Sequence, residues 1–273
     1  MSFKLGLVQC CHPDDGDVVG MADRWMAKAA RAGVDIVVFP ESLMTPYELE
    51  PVEFGRAAEP LDGPFCNEML RLASAHRLWT VFTMNERGPQ GDGGGRPYNT
   101  AVVADFDGER RAVYRKVHLF DTDFTKESAK VAAGGELFVP LETPFCKLGL
   151  GICYDVRFPE LARDAALAGC EVLLYPAAWV DGPGKVRQWK TLLSARAIEN
   201  ELFVAGLSRC DRAFGAARRD YAGNSCVFDP LGVPIAEAGI DEELLVAEID
   251  LAAIASARAA MPVLSHRRTD LYA

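Results

Sequence analysis

Apolar residues form two similar stretches, one in each half of the chain. The run FKLGLVQC at 3–10 resembles CKLGLGIC at 146–153, and KAARAGVDIVVFPES at 28–42 resembles DAALAGCEVLLYPAA at 164–178. Each pair indicates a strand, then a helix that ends at Ala-Gly, then an apolar strand closed by an aromatic residue and a proline. Near-continuous apolar strands are typical of strands buried on both faces. The pattern therefore predicts two related βαβ units.

The segments outside this repeat supply further elements. Residues 79–88 favour a strand, and residues 99–119 alternate around Asp-Gly, which indicates a hairpin. Residues 189–210 begin as an amphipathic helix and continue as a strand, and residues 225–251 are predicted to form a meander. The glycine-rich segment QGDGGGRP at 90–97 is predicted to be a hairpin loop.

The repeat predicts an α/β fold. Two related halves are compatible with two domains side by side, or with two sheets stacked face to face and covered by helices on the outside. The connections are short and no Pro/Ser-rich linker separates the halves, so a single domain over residues 1–273 is favoured.

Composition and charge argue against several classes of function. Apolar residues make up 49% and charged residues 25% of the chain, as in ordinary globular proteins. The net charge of -10 argues against a nucleic-acid or anionic-membrane surface. No apolar run approaches the about 18 residues of a transmembrane helix. The amino-terminal run is too short and too acidic for a signal peptide, so a cytoplasmic protein is expected.

The cysteine pattern favours free thiols. The chain has eight cysteines and no apparent secretory signal, which favours buried or reactive thiols over disulfides. The only close pair is Cys10 with Cys11, and adjacent residues of a strand point to opposite faces. The spacing therefore suits no metal site, and none is expected.

Candidate chemistry lies where the predicted strands end, because loops leave an α/β sheet at the carboxyl ends of its strands. Cys153 at such an end is either a nucleophile on a tight turn or an ordinary buried thiol. Glu41 follows an apolar strand, whereas the second copy has Ala177 there, so folding does not require an acid at that position.

Lys116 completes a plausible set for amide hydrolysis. By strand alternation it shares a face with Tyr114 and His118, although a solvated strand lysine is the simpler interpretation. Glu41, desolvated and so raised in pKa, is expected to take the proton of the Cys153 thiol. Lys116 is expected to stabilise the tetrahedral oxyanion.

Three segments around these residues are similar to the signature segments of the nitrilase, or carbon-nitrogen hydrolase, superfamily. They are FPES around Glu41, YRKVHLF around Lys116 and GLGICYDVRFPELAR around Cys153, and the agreement spans roughly the whole chain. The resemblance implies a four-layer αββα sandwich of two pseudo-symmetric halves, which pairs into a homodimer or a higher homo-oligomer. It also implies a Glu-Lys-Cys triad that needs no metal and no organic cofactor.

The resemblance extends to residues beside the triad. Glu127 matches a second family glutamate that orients the lysine and the substrate, although a loop-surface acid is the alternative. The backbone N–H of Tyr154 is expected to hold the oxyanion together with Lys116. Tyr47, Tyr154 and Trp179 lie where family members line the substrate pocket, although ordinary aromatic packing explains each equally well.

Arg157 bears on the substrate. The segment CYDVRFPEL, which contains it, and the ending PVLSHRRTDLY at 262–272 resemble the omega-amidase branch of the family. Arg157 is expected either to bind a substrate carboxylate through a bidentate pair or to be structural, bonded to Asp155 or to loop carbonyls. The implied reaction converts the amide of a small carboxylate-bearing substrate to a carboxylate and ammonia through a thioester. An N-carbamoyl compound, an aliphatic amide or a nitrile is the alternative substrate.

Two other classes of function stay open. A Cys-His hydrolase would use His118, and a non-enzymatic scaffold would use its dimer surface for binding. The segment at 189–203 resembles a family segment near the subunit interface, and a buried polar helix end is the rival account of its Glu199 and Asn200.

Overall fold

The computed structural model describes residues 2–46, 49–88, 95–123, 125–210 and 221–271. The helices are α1 (Val18–Arg31), α2 (Pro51–Arg56), α3 (Pro64–His76), α4 (Pro159–Leu167), α5 (Lys185–Asn200) and α6 (Ala252–Ala260). Two short 3₁₀ turns lie at Glu127–Ala129 and Cys153–Arg157.

The strands form two six-stranded sheets. They are β1 (Ser2–Gln9), β2 (Ile36–Val38), β3 (Trp79–Glu86), β4 (Tyr98–Ala104), β5 (Arg110–Arg115), β6 (Leu141–Glu142), β7 (Lys147–Leu150), β8 (Val172–Ala177), β9 (Phe203–Ser208), β10 (Cys226–Phe228), β11 (Pro234–Glu237) and β12 (Glu243–Asp250). The first sheet has the order β12-β1-β2-β3-β4-β5 and the second β11-β10-β9-β8-β7-β6. In each sheet three central strands are parallel and the outer strands pair antiparallel.

The two halves are related residue by residue. Leu5 of β1 pairs with Ile36 of β2, and Leu148 of β7 pairs with Val172 of β8. These are equivalent positions of the sequence repeat, so both halves have the same strand register. The predicted pseudo-symmetry is confirmed.

The Ala-Gly motif of the repeat ends a helix in both halves. Gly33 follows α1 with φ +70°, and Gly169 follows α4 with φ +87°. A residue in this left-handed conformation commonly closes a helix, and glycine adopts it without strain. The motif therefore turns each helix back toward the next parallel strand.

The buried core has one layer between the two sheets and further layers between each sheet and the helices that cover it. Leu7 and Val38 of the first sheet belong to the same buried cluster as Leu150 and Leu174 of the second. Complete burial of each such side chain stabilises the folded state by about 1.5–3 kcal/mol. The stacked sheets are therefore held together by an apolar layer that both halves supply.

Helices cover the outer face of each sheet. Met26 of α1 and Met69 of α3 pack with Phe82 of β3 in a second buried cluster. On the other side, Leu193 of α5 lies so close to Gly206 of β9 that a Cβ there would be 2.2 Å from its Cδ1 atom. The layers are helix, sheet, sheet and helix, which is the predicted αββα sandwich.

The predicted meander at 225–251 is only half right. β10 and β11 form a hairpin in the second sheet, but β12 pairs antiparallel with β1 in the first sheet. Leu245, Ala247 and Ile249 of β12 are buried and alternate with polar or exposed residues. Such alternation identifies a half-buried strand and does not specify the sheet edge that it joins.

Three features of the described structure concern the cysteines, metal binding and membrane insertion. All eight cysteines are free thiols, and seven are buried, in agreement with the predicted buried or reactive thiols. Within the described ranges, no group of His, Cys, Asp and Glu side chains is arranged to hold a metal ion. In the same ranges, no helix combines the length and the apolar character needed to cross a membrane.

Candidate active site

Cys153 lies on a sharp turn just after β7. It is the first residue of the 3₁₀ turn and has φ +48°, a conformation that is uncommon for a residue with a side chain. The Asp155 carboxylate accepts the Ile152 N–H at 2.7 Å, and the Asp155 N–H donates to the Ile152 carbonyl at 3.0 Å. These two bonds close the turn and fix the direction of the thiol.

Asp155 also ties this turn to the segment that bears Lys116. Its buried carboxylate accepts the Tyr114 hydroxyl at 2.7 Å and bonds His118 Nδ1 at 2.7 Å. It further accepts the His118 N–H at 3.2 Å. Asp155 was predicted only as a possible partner of Arg157, and no local sequence pattern pointed to these contacts with Tyr114 and His118.

Lys116 follows β5 and is buried between two glutamates. Its Nζ donates to Glu41 Oε1 at 2.9 Å and to Glu127 Oε1 and Oε2 at 3.0 and 2.9 Å. Its backbone N–H donates to the Asn99 carbonyl at 2.9 Å. The interpretation of Lys116 as a solvated strand lysine is therefore wrong.

Glu127 is fully buried in the first 3₁₀ turn, so the alternative of a loop-surface acid is also wrong. Its Oε2 accepts the Phe120 N–H at 2.6 Å, in addition to the bonds from Lys116. These contacts fix the carboxylate against the ammonium.

Asn99 at the start of β4 links the two glutamates. Its Nδ2 donates to Glu41 Oε1 at 2.8 Å and lies 3.5 Å from Glu127 Oε1. The amide thereby fixes the carboxylates on both sides of Lys116. Asn99 was not among the predicted site residues, because an asparagine beside a glycine-rich loop shows no sequence pattern that indicates burial.

Glu41 joins the two halves of the molecule. It follows β2 of the first sheet, is 2% exposed, and its Oε2 accepts the Ala178 N–H at 2.8 Å just after β8 of the second sheet. Its carboxylate also lies within reach of the Cys153 thiol. Glu41, Lys116, Glu127 and Cys153 therefore line one enclosed space.

The charges of this cluster favour a neutral thiol beside an ionised carboxylate. Burial acts to raise the pKa of Glu41, but the Lys116 ammonium and the hydrogen bonds from Lys116 and Ala178 outweigh it and lower that pKa. The expectation of a raised pKa at Glu41 is wrong, because it counted desolvation and left out the adjacent cation. Burial and the Glu41 charge together raise the pKa of Cys153 well above the usual value for a thiol.

Lys116 is held in its charged form. Burial acts to lower its pKa, but the Glu127 and Glu41 carboxylates outweigh burial and raise the pKa well above the usual lysine value. The resting site therefore contains a thiol, an ammonium group and a carboxylate base.

A backbone donor is available beside the thiol. The N–H of Tyr154, in the first turn of the 3₁₀ helix, donates to no acceptor among the described residues. Such free N–H groups at the start of a helix favour negative charge. Tyr154 N–H and Lys116 Nζ are thus suited to hold a developing oxyanion.

Past Cys153, the enclosed space continues into an adjoining inner space. The inner space opens into an outer cavity of about 640 Å³. The Tyr154 ring borders the outer cavity and makes edge contacts with the rings of Phe120 and Phe158. Trp179 is 2% exposed, and its Nε1 donates to the Lys185 carbonyl at 3.1 Å. Tyr154 and Trp179 therefore line the inner space next to Cys153.

Arg157, a predicted pocket residue, lies beside Cys153 and Tyr154. Arg157 borders both spaces, and its Nη2 donates to Gln188 Oε1 at 2.9 Å. None of the hydrogen bonds of Asp155 comes from Arg157, so the structural alternative of an Arg157–Asp155 bond is wrong. Tyr47 lies outside the described residues.

Comparison with known proteins identifies the family. A model of the carbon-nitrogen hydrolase family matches residues 4–259, a span that contains every residue of this site. The chain belongs to the carbon-nitrogen hydrolase family. Omega-amidase NIT2 of Homo sapiens is 36% identical to this carbon-nitrogen hydrolase over 281 residues, which cover 100% of the chain and 97% of the human protein.

Two further comparisons agree with this assignment. Deaminated glutathione amidase of Bos taurus is 36% identical over 281 residues, which cover 98% of this carbon-nitrogen hydrolase and 84% of the bovine protein. The crystal structure of a carbon-nitrogen hydrolase from Helicobacter pylori G27 has a TM-score of 0.90 at 29% identity, covering 99% of this chain and 97% of that one. The predicted family and fold class are confirmed, whereas the roles predicted for individual site residues stay predictions.

Proposed function

We propose that the protein is an amidase that hydrolyses the amide of a small carboxylate-bearing substrate and releases ammonia. The observation that carries this proposal is the convergence of Glu41, Lys116 and Cys153, from three distant segments, on one enclosed space. Membership of the carbon-nitrogen hydrolase family and the omega-amidase relative support the same reaction.

Acylation begins with a proton transfer. As the Cys153 sulfur attacks the amide carbon, Glu41 takes the thiol proton, and the carbonyl oxygen becomes an oxyanion that Lys116 Nζ and Tyr154 N–H hold. When the oxyanion collapses, Glu41 gives its proton to the amide nitrogen, the C–N bond breaks and ammonia leaves. A thioester on Cys153 remains. Glu127 holds the Lys116 ammonium in place and acts as a positioning residue.

Deacylation uses the same groups in reverse. A water molecule attacks the thioester carbon while Glu41 takes its proton. The second tetrahedral intermediate collapses, the C–S bond breaks, and the proton returns from Glu41 to the Cys153 sulfur. The products are a carboxylic acid, ionised in solution, and the free enzyme. No step needs a group beyond the chain, the substrate and water.

A larger substrate is the second candidate. The outer cavity of about 640 Å³ exceeds what a four-carbon amide fills, and ligand pockets of that size commonly hold molecules of several hundred daltons. The bovine relative is named for a glutathione derivative. Deaminated glutathione therefore belongs in any substrate panel, with the released amine measured in place of ammonia.

An amide panel tests the function. We expect ammonia release from succinamate, no carbon dioxide from an N-carbamoyl amine, and slower turnover of butyramide or a nitrile. Cys153→Ala should lose at least about 10³-fold in kcat, because the nucleophile is gone. Cys10→Ala is the matched control, since Cys10 holds the equivalent position of the repeat.

Mass spectrometry follows the covalent step. A slow amide should leave an acyl adduct on the peptide that contains Cys153. Full activity in Cys153→Ala, or an acyl adduct that persists in that variant, would refute the nucleophile assignment.

We also propose that the chain self-associates through an apolar surface beside α5. Ile198 of α5 is 50% exposed, and Leu231 and Val233 of the β10–β11 turn are 63% and 51% exposed. Gly232, between those two residues, lies against Ile198. The surface formed by Ile198, Leu231 and Val233 overlaps the segment whose resemblance implied an interface, and contiguous exposed apolar groups favour association.

A further inference from the structure

Two cationic side chains lie together in the space next to Cys153. Arg157, from the 3₁₀ turn, and Lys185, the first residue of α5, both border the inner space that Cys153 lines and the outer cavity. Neither forms an ion pair with a carboxylate among the described residues. Asp123 also lines the outer cavity, but it makes no ion pair with either cation.

Both cations lie against the Trp179 ring. The Arg157 guanidinium lies 4.8 Å from the ring centroid and the Lys185 ammonium lies 4.9 Å from it. The two charged groups are therefore at most about 10 Å apart. The Lys185 ammonium also lies 5.4 Å from the Phe120 ring centroid. Two half-buried like charges in this arrangement repel each other.

We propose that Lys185 and Arg157 together bind the carboxylate of the substrate, which makes Lys185 a specificity-determining residue. This inference rests on the proposed amidase function. An anion between the two cations replaces their repulsion with two charge-assisted contacts. Arg157 supplies a planar fork for two carboxylate oxygens, and Lys185 supplies a compact charge.

The rest of the space supports this orientation. Phe120, Ala178 and Val180 line the passage between the cations and the Cys153 thiol, so its wall is mainly apolar. A short methylene chain fits such a passage, with its amide at Cys153 and its carboxylate at the cations. Burial and the Arg157 charge lower the pKa of Lys185, as expected for a cation that lacks an anionic partner.

Binding to an inactive variant tests the inference without turnover. In Cys153→Ala, we expect calorimetry to show that succinamate binds more tightly than butyramide, which has the same chain length and no carboxylate. Adding Lys185→Met should weaken succinamate binding about 10-fold or more and remove most of that preference. Lys185→Arg should restore a large part of it. The matched control is Lys190→Met, which removes a lysine of the same helix that pairs instead with Glu237.

The outcomes separate this inference from the proposed function. A preference for succinamate that is unchanged by Lys185→Met overturns the inference, and so does a parent variant that binds succinamate no more tightly than butyramide. Equal losses in Lys185→Met and Lys190→Met also overturn it. Ammonia release by the unmodified enzyme tests the amidase function independently, because a neutral amide requires Cys153 and Glu41 but no carboxylate site.

Discussion

At the scale of single residues, the site works through the balance of charge around Lys116. One ammonium group is held by Glu41 and Glu127, and Asn99 links the two carboxylates. This arrangement keeps Glu41 ionised and ready to accept a proton, although burial alone would favour its neutral form. The neighbours of Glu41 therefore determine its ionised state, and the Cys153 thiol keeps its proton until a substrate arrives.

The dependence of activity on pH follows from these directions. Because the pKa of Glu41 is lowered, its carboxylate stays ionised down to below the ordinary value of 4.5. We therefore expect kcat/KM for butyramide to change less than about twofold between pH 6 and pH 8, and to fall only below pH 4.5. A neutral amide is used so that Lys185 does not contribute to the profile.

Two controls accompany the pH profile. Circular dichroism at each pH confirms that the protein stays folded on the acid side. If attack instead required a thiolate formed by proton loss to solvent, kcat/KM would rise steadily with pH through the neutral range, because the Cys153 pKa lies above that range. That result would contradict general-base activation by Glu41.

At the scale of elements, the 3₁₀ turn after β7 makes a strand end reactive. β1 ends at the equivalent position beside Cys10, yet no helical turn follows it there. The turn at Cys153 depends on Asp155, which bonds Ile152 within the turn and Tyr114 and His118 on the Lys116 segment. The nucleophile and the ammonium are thus aligned by one buried carboxylate.

Asp155→Asn tests this alignment. An asparagine amide has a single acceptor oxygen, and its NH₂ group would face neighbouring groups that are themselves donors. We therefore expect the free energy of unfolding to fall by about 2–4 kcal/mol. We expect kcat to fall about 100-fold, because the thiol loses its direction. Urea denaturation and ammonia release measure the two effects.

Tyr114→Phe is the matched control for Asp155→Asn, since it removes one of the bonds and keeps the carboxylate. We expect it to cost about 1 kcal/mol and to retain most of the activity. If Asp155→Asn has normal kcat, the turn does not depend on this carboxylate.

The sequence predicted the elements better than the partners that align them. Glu41, Lys116 and Cys153 could be singled out because each lies at a strand end or within a recognisable segment. Asp155 could not, because its partners come from a strand far away in sequence and pairing across sheets leaves no local pattern. The edge that β12 joins was hidden for the same reason.

At the scale of the whole molecule, the apolar layer between the sheets and the exposed surface beside α5 have different consequences. The layer between the sheets contains side chains of both halves, and the single domain over residues 1–273 stays a prediction. The surface of Ile198, Leu231 and Val233 leaves apolar groups in water, which is the driving force proposed here for self-association.

Light scattering tests the self-association. We expect the unmodified protein to have at least twice the chain mass of 29.7 kDa, and Leu231→Asp to shift it toward the monomer. Val52→Asp is the matched control, because Val52 on α2 is also 63% exposed. A monomeric unmodified protein at working concentration, or equal effects of both substitutions, would remove the proposed interface.

The bond between Glu41 Oε2 and the Ala178 N–H has a consequence for the folding chain. The first half supplies the base and the second half supplies both the thiol and the backbone group that holds the base in place. Neither half alone contains both the base and the thiol. The base therefore lies beside the thiol only when the two halves are docked.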